Sequence, residues 1–363
     1  MTQSGRPPNG APEAEPPARK PAESVLAQFR HRAARWIFQG RIRLGDGKDL
    51  APIQPKDLES IRRRFPRPKF FIFGHARSGT SLLARLIRLH PDVHCEWQTQ
   101  YFSERGPVPY LSSTSFRQWM RHPSNKWTLG WDPTPVLLRV CCDAILEREA
   151  EKSGKGTVGD KSPNENGGEA VRWLAAVYPD AHLIYIVRDG RDTVLSKRIQ
   201  AFIDQPDSLG RADRRVRHSL IKEPRPFLER RRSIFTPSWL EAAARKWATD
   251  VQESVADGRR LFGERFAVVR YEDLLAAPYP TMAGLWSFLG VAPGGAELEA
   301  SVDRQTQDNP EAEWHQASAY AFVRELPRGV HGGWRGLFTP GDRALFERYA
   351  QSALDAYGYL DRS

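Results

Sequence analysis

A chain of 363 residues with 40% apolar content is long enough to bury a substantial core. Lys and Arg outnumber Asp and Glu by 54 to 44, and the formal charge of +10 points to anionic partners. Three cysteines, Cys95, Cys141 and Cys142, exclude a disulfide framework; none stands in a CxxC metal spacing, and a reducing, cytoplasmic compartment fits that usage. Charge alone admits nucleic acid, but no zinc-finger spacing, RNA-binding sheet motif or helix-turn-helix signal accompanies it, so the expected ligand is an anionic small molecule and not a nucleic acid.

Residues 1–22 are rich in Pro, Ala and charge, which predicts a disordered tail without the apolar core of a secretory signal. No run reaches the ~20 apolar residues of a membrane span. Residues 23–67 read as a basic N-terminal helix and a linker. Within them, 24–43 sets Val25, Leu26, Phe29, Trp36, Ile37 and Phe38 among arginines. Such a helix either makes weak contact with an anionic membrane surface or packs on its own domain.

The main domain, 68–360, opens with a short apolar run, Phe70-Phe-Ile-Phe73, that predicts a buried strand. Gly74-His-Ala-Arg-Ser-Gly79-Thr-Ser81 follows, and Leu82, Leu83, Leu86, Ile87 and Leu89 then recur at helical spacing up to Pro91. A strand, a glycine loop and a helix start present free N–H groups and a positive dipole end to an anion. The spacing is that of the Walker A loop, with Thr80 where that motif has its lysine. The loop cation is Arg77, and the hydroxyls are Ser78, Thr80 and Ser81. This set suits a 5′-phosphate joined to a sulfate, held without metal.

From Pro91 to Pro135 the chain is aromatic and loop-like, with Trp97, Tyr101, Phe102 and Tyr110 as a candidate acceptor wall or core. Helices are predicted over 134–151, 169–178, 189–202, 239–262, 280–289 and 342–357. Strands are predicted over 155–159, 181–187 and 266–270. The basic insert 206–237 reads as a mobile lid or acceptor loop. Strands alternating with helices give an α/β fold: three layers, with a central parallel β-sheet flanked by helices. Ligands of such sheets bind beyond the carboxyl ends of the strands, where Gly74, Lys161 and Arg188 are expected to converge.

Taken together, these segments resemble the sulfotransferases that use 3′-phosphoadenosine 5′-phosphosulfate (PAPS), a P-loop-like fold. Arg77-Ser-Gly-Thr-Ser-Leu-Leu83 is similar to their 5′-phosphosulfate loop, and Arg188-Asp-Gly-Arg-Asp192 through Ser196 to their 3′-phosphate motif. Asp160-Lys-Ser-Pro163 is similar to the Lys-x-Pro element, Tyr271-Glu-Asp-Leu274 to a further family segment, and Arg328-Gly-Val-His-Gly-Gly-Trp-Arg335 to the closing glycine-rich stretch. The resemblance implies PAPS as sulfuryl donor, no metal, and a hydroxyl acceptor, a small molecule or glycan; the aromatic segment and the basic insert Arg211 to Arg232 suit a carbohydrate first, but also a phenol, a lipid or a peptide tyrosine. It implies that Ala76, Arg77, Ser78, Gly79, Thr80, Ser81, Arg188, Ser196, Tyr271, Arg328 and Gly329 bind the donor. Lys161 and Arg77 would steady the leaving oxygen.

The general base is less sharply marked. Aligned on Tyr101-Phe102, the family's glutamate falls on Gln98, which cannot take a proton; Glu96, Glu165 and His94 are the candidates, with Glu96 first. The histidine that some members carry two residues after the lysine is here Pro163. Two other readings stay open on the residues alone. One is a P-loop kinase or NTPase, with Asp189 as a Walker B acid. The other is a non-catalytic member that binds a nucleotide or an acidic glycan.

Overall fold

The computed structural model describes residues 50–103, 106–111, 113, 116, 133–164, 166–308, 322–323, 326 and 331–360. The expected tail over 1–22, the basic helix over 24–43, Glu165, Arg328 and Gly329 lie outside the described residues.

Four consecutive apolar residues, Phe70 to Phe73, make β1 (Lys69–Phe73) a strand covered on both faces. It occupies the centre of a five-stranded parallel sheet with β2 (Val93–Trp97), β3 (Thr157–Lys161), β4 (His182–Val187) and β5 (Phe266–Arg270), in the order β2-β3-β1-β4-β5. The longer helices are α1 (Pro55–Arg64), α2 (Thr80–Ile87), α3 (Thr134–Ser153), α4 (Glu169–Val177), α5 (Gly190–Asp204), α6 (Arg211–Lys222), α7 (Pro237–Phe262), α8 (Tyr271–Ala276), α9 (Pro278–Phe288), α10 (Ala296–Gln307) and α11 (Pro340–Ala356).

The two-residue period of β1 feeds two cores. Phe71 and Phe73 join a core with Leu138 of α3, Leu174 of α4, Val194 of α5, Trp247 of α7 and Phe346 of α11. Phe70 and Ile72 join the other, with Leu83 of α2, Leu274 of α8, Trp286 of α9 and Val302 of α10. The adjacent strands β1 and β4 therefore send their following helices, α2 and α5, to opposite faces. That reversal leaves a crevice at the carboxyl ends of β1 and β4, where α/β sheets bind ligands.

Several expectations change. Part of the predicted aromatic loop is β2, an edge strand in which Val93 and Cys95 are buried while His94 and Glu96 are only partly so; one apolar face with two polar residues on the other gives a weak strand signal. The supposed linker contains α1, fixed to the domain by Ile53 N–H donating to Ala176 O at 2.8 Å. The insert expected as a mobile loop contains α6, anchored by buried Leu220 and by the Arg198–Asp213 ion pair at 2.6 Å. Helix α10 went unpredicted because charged and small residues dilute its apolar face; only Val302 is buried.

At the amino ends of the strands a buried ion cluster ties β1 to α3. Lys69 Nζ donates to Glu147 Oε1 at 2.8 Å and to the Arg67 carbonyl at 2.7 Å, and Arg67 also bonds Glu147. Arg139 Nε donates to Asp143 Oδ2 at 2.7 Å and Nη1 to Asp180 Oδ1 at 2.6 Å, while Tyr178 Oη donates to Asp143 Oδ1 at 2.9 Å. Burial opposes charge on Glu147, yet the bonds from Lys69 and Arg67 hold its carboxyl below the usual glutamate value. A depressed native pKa contributes stability above the unfolded value, about 4.3, and that contribution is lost as pH falls through the native value. Glu147→Gln leaves the buried Lys69 with Asp143, 3.9 Å away, as its remaining carboxylate and is expected to destabilise the fold by about 1.5–3 kcal/mol at pH 7. Melting curves of the variant and the parent should converge as the pH falls from the ordinary glutamate value, about 4.3, through the depressed native one.

Candidate functional site

The loop after β1 is built by close approaches that only small residues allow. A Cβ on Gly74 would stand 2.7 Å from the Ile186 carbonyl oxygen of β4. Gly79 has φ +94°, and a Cβ there would meet the Tyr271 ring at 2.3 Å. Arg77 itself takes a left-handed φ of 75°, which turns the loop. Of the backbone amides expected to face the anion, that of Ser78 is used to close the turn, donating to His75 O at 3.0 Å. The first turn of α2, from Thr80, leaves its N–H groups without intrahelical acceptors. Ser78 Oγ is buried and has no partner among the described residues.

Arg77 joins the two expected anion motifs. Its Nε donates to Ser196 Oγ on α5 at 3.1 Å, and its carbonyl accepts from Arg188 Nη1 at 3.2 Å. Arg188 stands 4.6 Å over the Tyr271 ring, and its buried Nε has no partner among the described residues. Gly79, Arg77, Ser196, Arg188 and Tyr271 thus form one contiguous group. A buried guanidinium nitrogen, a buried hydroxyl and a glycine cradle fit a phosphate-bearing ligand.

Lys161 ends β3 and is fully buried. Its Nζ lies 3.4 Å from Ser81 Oγ and 3.2 Å from Gln98 Oε1, and 4.0 Å over the ring of Trp97, whose indole is 44% exposed. Pairing across β2 and β3 sets Trp97 opposite Lys161 and Glu96 opposite Asp160. Successive residues alternate faces, so Glu96 points away from Lys161. There it accepts from or donates to His94 Nε2 through Oε1 at 2.8 Å, according to which carries the proton. The structure brings neither Glu96 nor His94 to Lys161, and it brings Gln98 there. Asp160 instead braces the exit of β2, with Oδ1 accepting from Thr99 N–H at 3.1 Å and Oδ2 from Ser162 Oγ at 2.7 Å. Burial raises its carboxyl above the usual value.

Sequence reasoning missed two supports. Asp192 is buried and accepts from the amides of Gly332 and Trp334 at 2.7 and 2.9 Å, pinning the closing glycine-rich stretch beside Arg188. His75 is held by Asp250 of α7, its Nδ1 lying 2.8 Å from Oδ2. Their separation of 175 positions leaves no spacing signal.

Residues 68–293 match the family model described as "Sulfotransferase family". The chain belongs to the sulfotransferase family. Among named relatives, this sulfotransferase is 30% identical over 129 residues to a protein-tyrosine sulfotransferase 1 of Danio rerio, a match covering 36% of this chain and 35% of that protein. It is 22% identical over 302 residues to protein-tyrosine sulfotransferase 2 of Gallus gallus, covering 78% and 68%. The first relatives are thus matched over about a third of their length. Solved structures of similar fold include a mouse sulfotransferase complexed with PAP, at 16% identity and TM-score 0.42 over 79% of this chain and 85% of that one. Another is a sulfotransferase of Alicyclobacillus acidocaldarius, at 20% identity and TM-score 0.37 over 74% and 99%.

Gly79→Ala would force a left-handed alanine and push the Tyr271 ring off the loop, at a penalty of about 1–3 kcal/mol. Titration calorimetry with 3′,5′-bisphosphoadenosine (PAP) should show affinity reduced about tenfold or more, while the circular dichroism spectrum stays that of the parent.

Proposed function

We propose that this sulfotransferase moves the sulfuryl group of PAPS to a hydroxyl acceptor, and that the acceptor is a phenol such as a tyrosyl side chain. The observation that carries the donor assignment is the contiguous group Arg77, Ser196, Arg188 and Tyr271, joined through the loop to Ser81 and Lys161. Arg77, the Ser78 hydroxyl and the start of α2 would receive the 5′-phosphosulfate, with Arg188 and Ser196 on the 3′-phosphate. Arg328 and Gly329 retain the donor-binding role that the resemblance implies. Charge-assisted bonds of this kind contribute about 1.5–3 kcal/mol each.

In the reaction a new bond forms between the acceptor oxygen and sulfur as the bond from sulfur to the 5′-phosphate oxygen breaks. The electron pair leaves with PAP, and the acceptor proton passes to a base or to solvent. Lys161 and Arg77 meet the negative charge that grows on the departing oxygen. Gln98 beside Lys161 is neutral and cannot take the proton. A phenol, with a pKa of about 10, ionises with less help than a sugar hydroxyl would need. Relatives named for protein tyrosine favour the same acceptor over the carbohydrate expected from the sequence. The exposed face of Trp97 offers a planar surface for an aromatic ring. A reducing, cytoplasmic setting belongs to the same proposal, supported by the buried free thiols of Cys95 and Cys142.

Transfer of labelled sulfate from PAPS to a panel of tyrosyl peptides, simple phenols and oligosaccharides, in the presence of a chelator, tests both halves. Label in the phenolic compounds is the expected outcome; label confined to the sugars would replace the acceptor, and ATP binding in place of PAP would replace the donor. Lys161→Ala should keep the calorimetric affinity for PAP and lose turnover by about a hundredfold to a thousandfold. Turnover within a few-fold of the parent would remove Lys161 from the chemistry.

A further inference from the structure

Behind the phosphate loop, on the side of the sheet covered by α7, lies a polar cluster that none of the donor motifs contains. Asp250 sits in the middle of α7 and is fully buried. Its Oδ2 meets His75 Nδ1 at 2.8 Å, and its Oδ1 accepts from Gly167 N–H at 2.8 Å and from Lys246 Nζ at 2.7 Å. One turn further along α7, Ser254 Oγ donates to the Gly167 carbonyl at 2.9 Å, and Glu253 Oε2 accepts from Gly168 N–H at 3.2 Å. Gly167 is therefore gripped at both its amide and its carbonyl. It has φ +56°, and a Cβ on it would stand 2.3 Å from Glu253 Oε2.

The two backbone segments that Asp250 touches are the ones that carry the working cations. His75 is two residues before Arg77, in the loop that follows β1. Gly167 is six residues after Lys161, in the segment that follows β3. Between those points the segments are already laddered: Ser162 N–H donates to Ile72 O at 3.0 Å and Asn164 N–H to Gly74 O at 2.9 Å. The ladder ends at Gly74, where the loop must turn away to face its ligand. Asp250 takes over there, with one oxygen for each segment.

A carboxylate at this depth is an expensive choice unless every lone pair is used, and apolar packing would stabilise the same space at lower cost. What the carboxylate adds is direction. Burial opposes its charge, but the bonds and charges of His75 and Lys246 outweigh burial and hold its carboxyl below the usual aspartate value. An ionised Asp250 only accepts, so Nδ1 of His75 carries the proton and the imidazole has one orientation. Hydrogen bonds of this kind fix a loop in position where apolar contact would let it slide.

We propose that Asp250 is a positioning residue for sulfuryl transfer, setting the Arg77 loop and the Lys161 segment at one fixed spacing through His75 and Gly167. The inference rests on the functional reading above, since the spacing matters only if both cations serve one transferred group. A displacement of about 1 Å at a reacting centre lowers rates by about a hundredfold. Loss of the brace should thus act on the chemical step more than on donor affinity.

The test compares the parent with Asp250→Ala, Asp250→Asn, His75→Ala and the double variant Asp250→Ala with His75→Ala, each checked for folding by circular dichroism and thermal melting. Transfer of label from PAPS to a single-tyrosine peptide gives kcat and the KM for PAPS, and calorimetry gives the affinity for PAP. Expected are a fall in kcat of about tenfold to a hundredfold for both alanine variants, PAP affinity within about threefold of the parent, and a double variant no slower than Asp250→Ala alone. Asp250→Asn, which can still bond His75 after a change of tautomer, should recover part of the rate. A folded Asp250→Ala with the parent's kcat would overturn the proposal, as would losses at the two sites that simply multiply. If Asp250→Ala does not fold, His75→Ala decides, since it leaves Asp250 its bonds to Gly167 and Lys246: the parent's kcat there overturns the proposal. A parent protein that gives neither PAP heat nor label transfer would instead sink the functional reading, and this inference with it.

Discussion

A loop that grips a phosphate must keep backbone N–H groups unpaired and aimed in one direction, and such a loop stays put only if it is held from behind. Several contacts of residues 74–80 hold the loop in this way. Gly74 lies against the Ile186 carbonyl, Gly79 against the Tyr271 ring, and the Gly74 carbonyl accepts from Asn164. His75, the side chain at the bend, is tied to the long helix α7. Ser78 Oγ stands buried without a partner among the described residues.

That arrangement was legible in the sequence wherever it was written in consecutive residues. Phe70 to Phe73 and Leu183 to Val187 are runs of buried apolar side chains, and only a two-sided strand accommodates them. The glycines and arginines that follow them sit at strand ends because a parallel sheet has its connections there. The parts that were not legible share a different physics. In β2 the apolar signal is halved, because His94 and Glu96 alternate with Val93 and Cys95. Helix α6 was hidden by arginines, yet Leu220 and the Arg198–Asp213 pair suffice to dock it. Asp250 and Asp192 act on groups more than a hundred residues distant, and no local pattern announces a contact of that range.

The placement of Glu96 follows from the same two-residue alternation that places Lys161. Lys161 pairs with Ile72 across β1 and with Trp97 across β2, so all three share the face toward α2. Glu96 and Asp160 necessarily take the other face. A shift of the loop after β2 cannot change this, because the parity is set within the strand. Gln98 reaches Lys161 only after the chain has left the strand in a left-handed turn, φ 61°. The end of β2 therefore delivers a neutral amide and an exposed indole to the lysine, and keeps its carboxylate for the sheet.

The segment Arg188-Asp-Gly-Arg-Asp192 shows how one short motif can divide binding from architecture. Arg191 is fully buried and saturated: its guanidinium bonds both oxygens of Asp189, Glu347 Oε1 at 2.9 Å and the Tyr359 carbonyl, and stacks 3.9 Å over Trp334. Asp192 holds the amides of Gly332 and Trp334, and Asp189 caps α5. These three side chains lock the carboxyl end of β4 to the last helix and to the closing glycine-rich stretch. Arg188, three residues before Arg191, meets a carbonyl and an aromatic face, and among the described residues its buried Nε has no partner. Among the described residues Arg188 meets no carboxylate at bonding distance, so its donors stay open to a ligand, whereas those of Arg191 are taken up by two carboxylates. The two arginines are indistinguishable as sequence; the carboxylates around Arg191 assign it to the architecture, and Arg188 is the one proposed for the nucleotide.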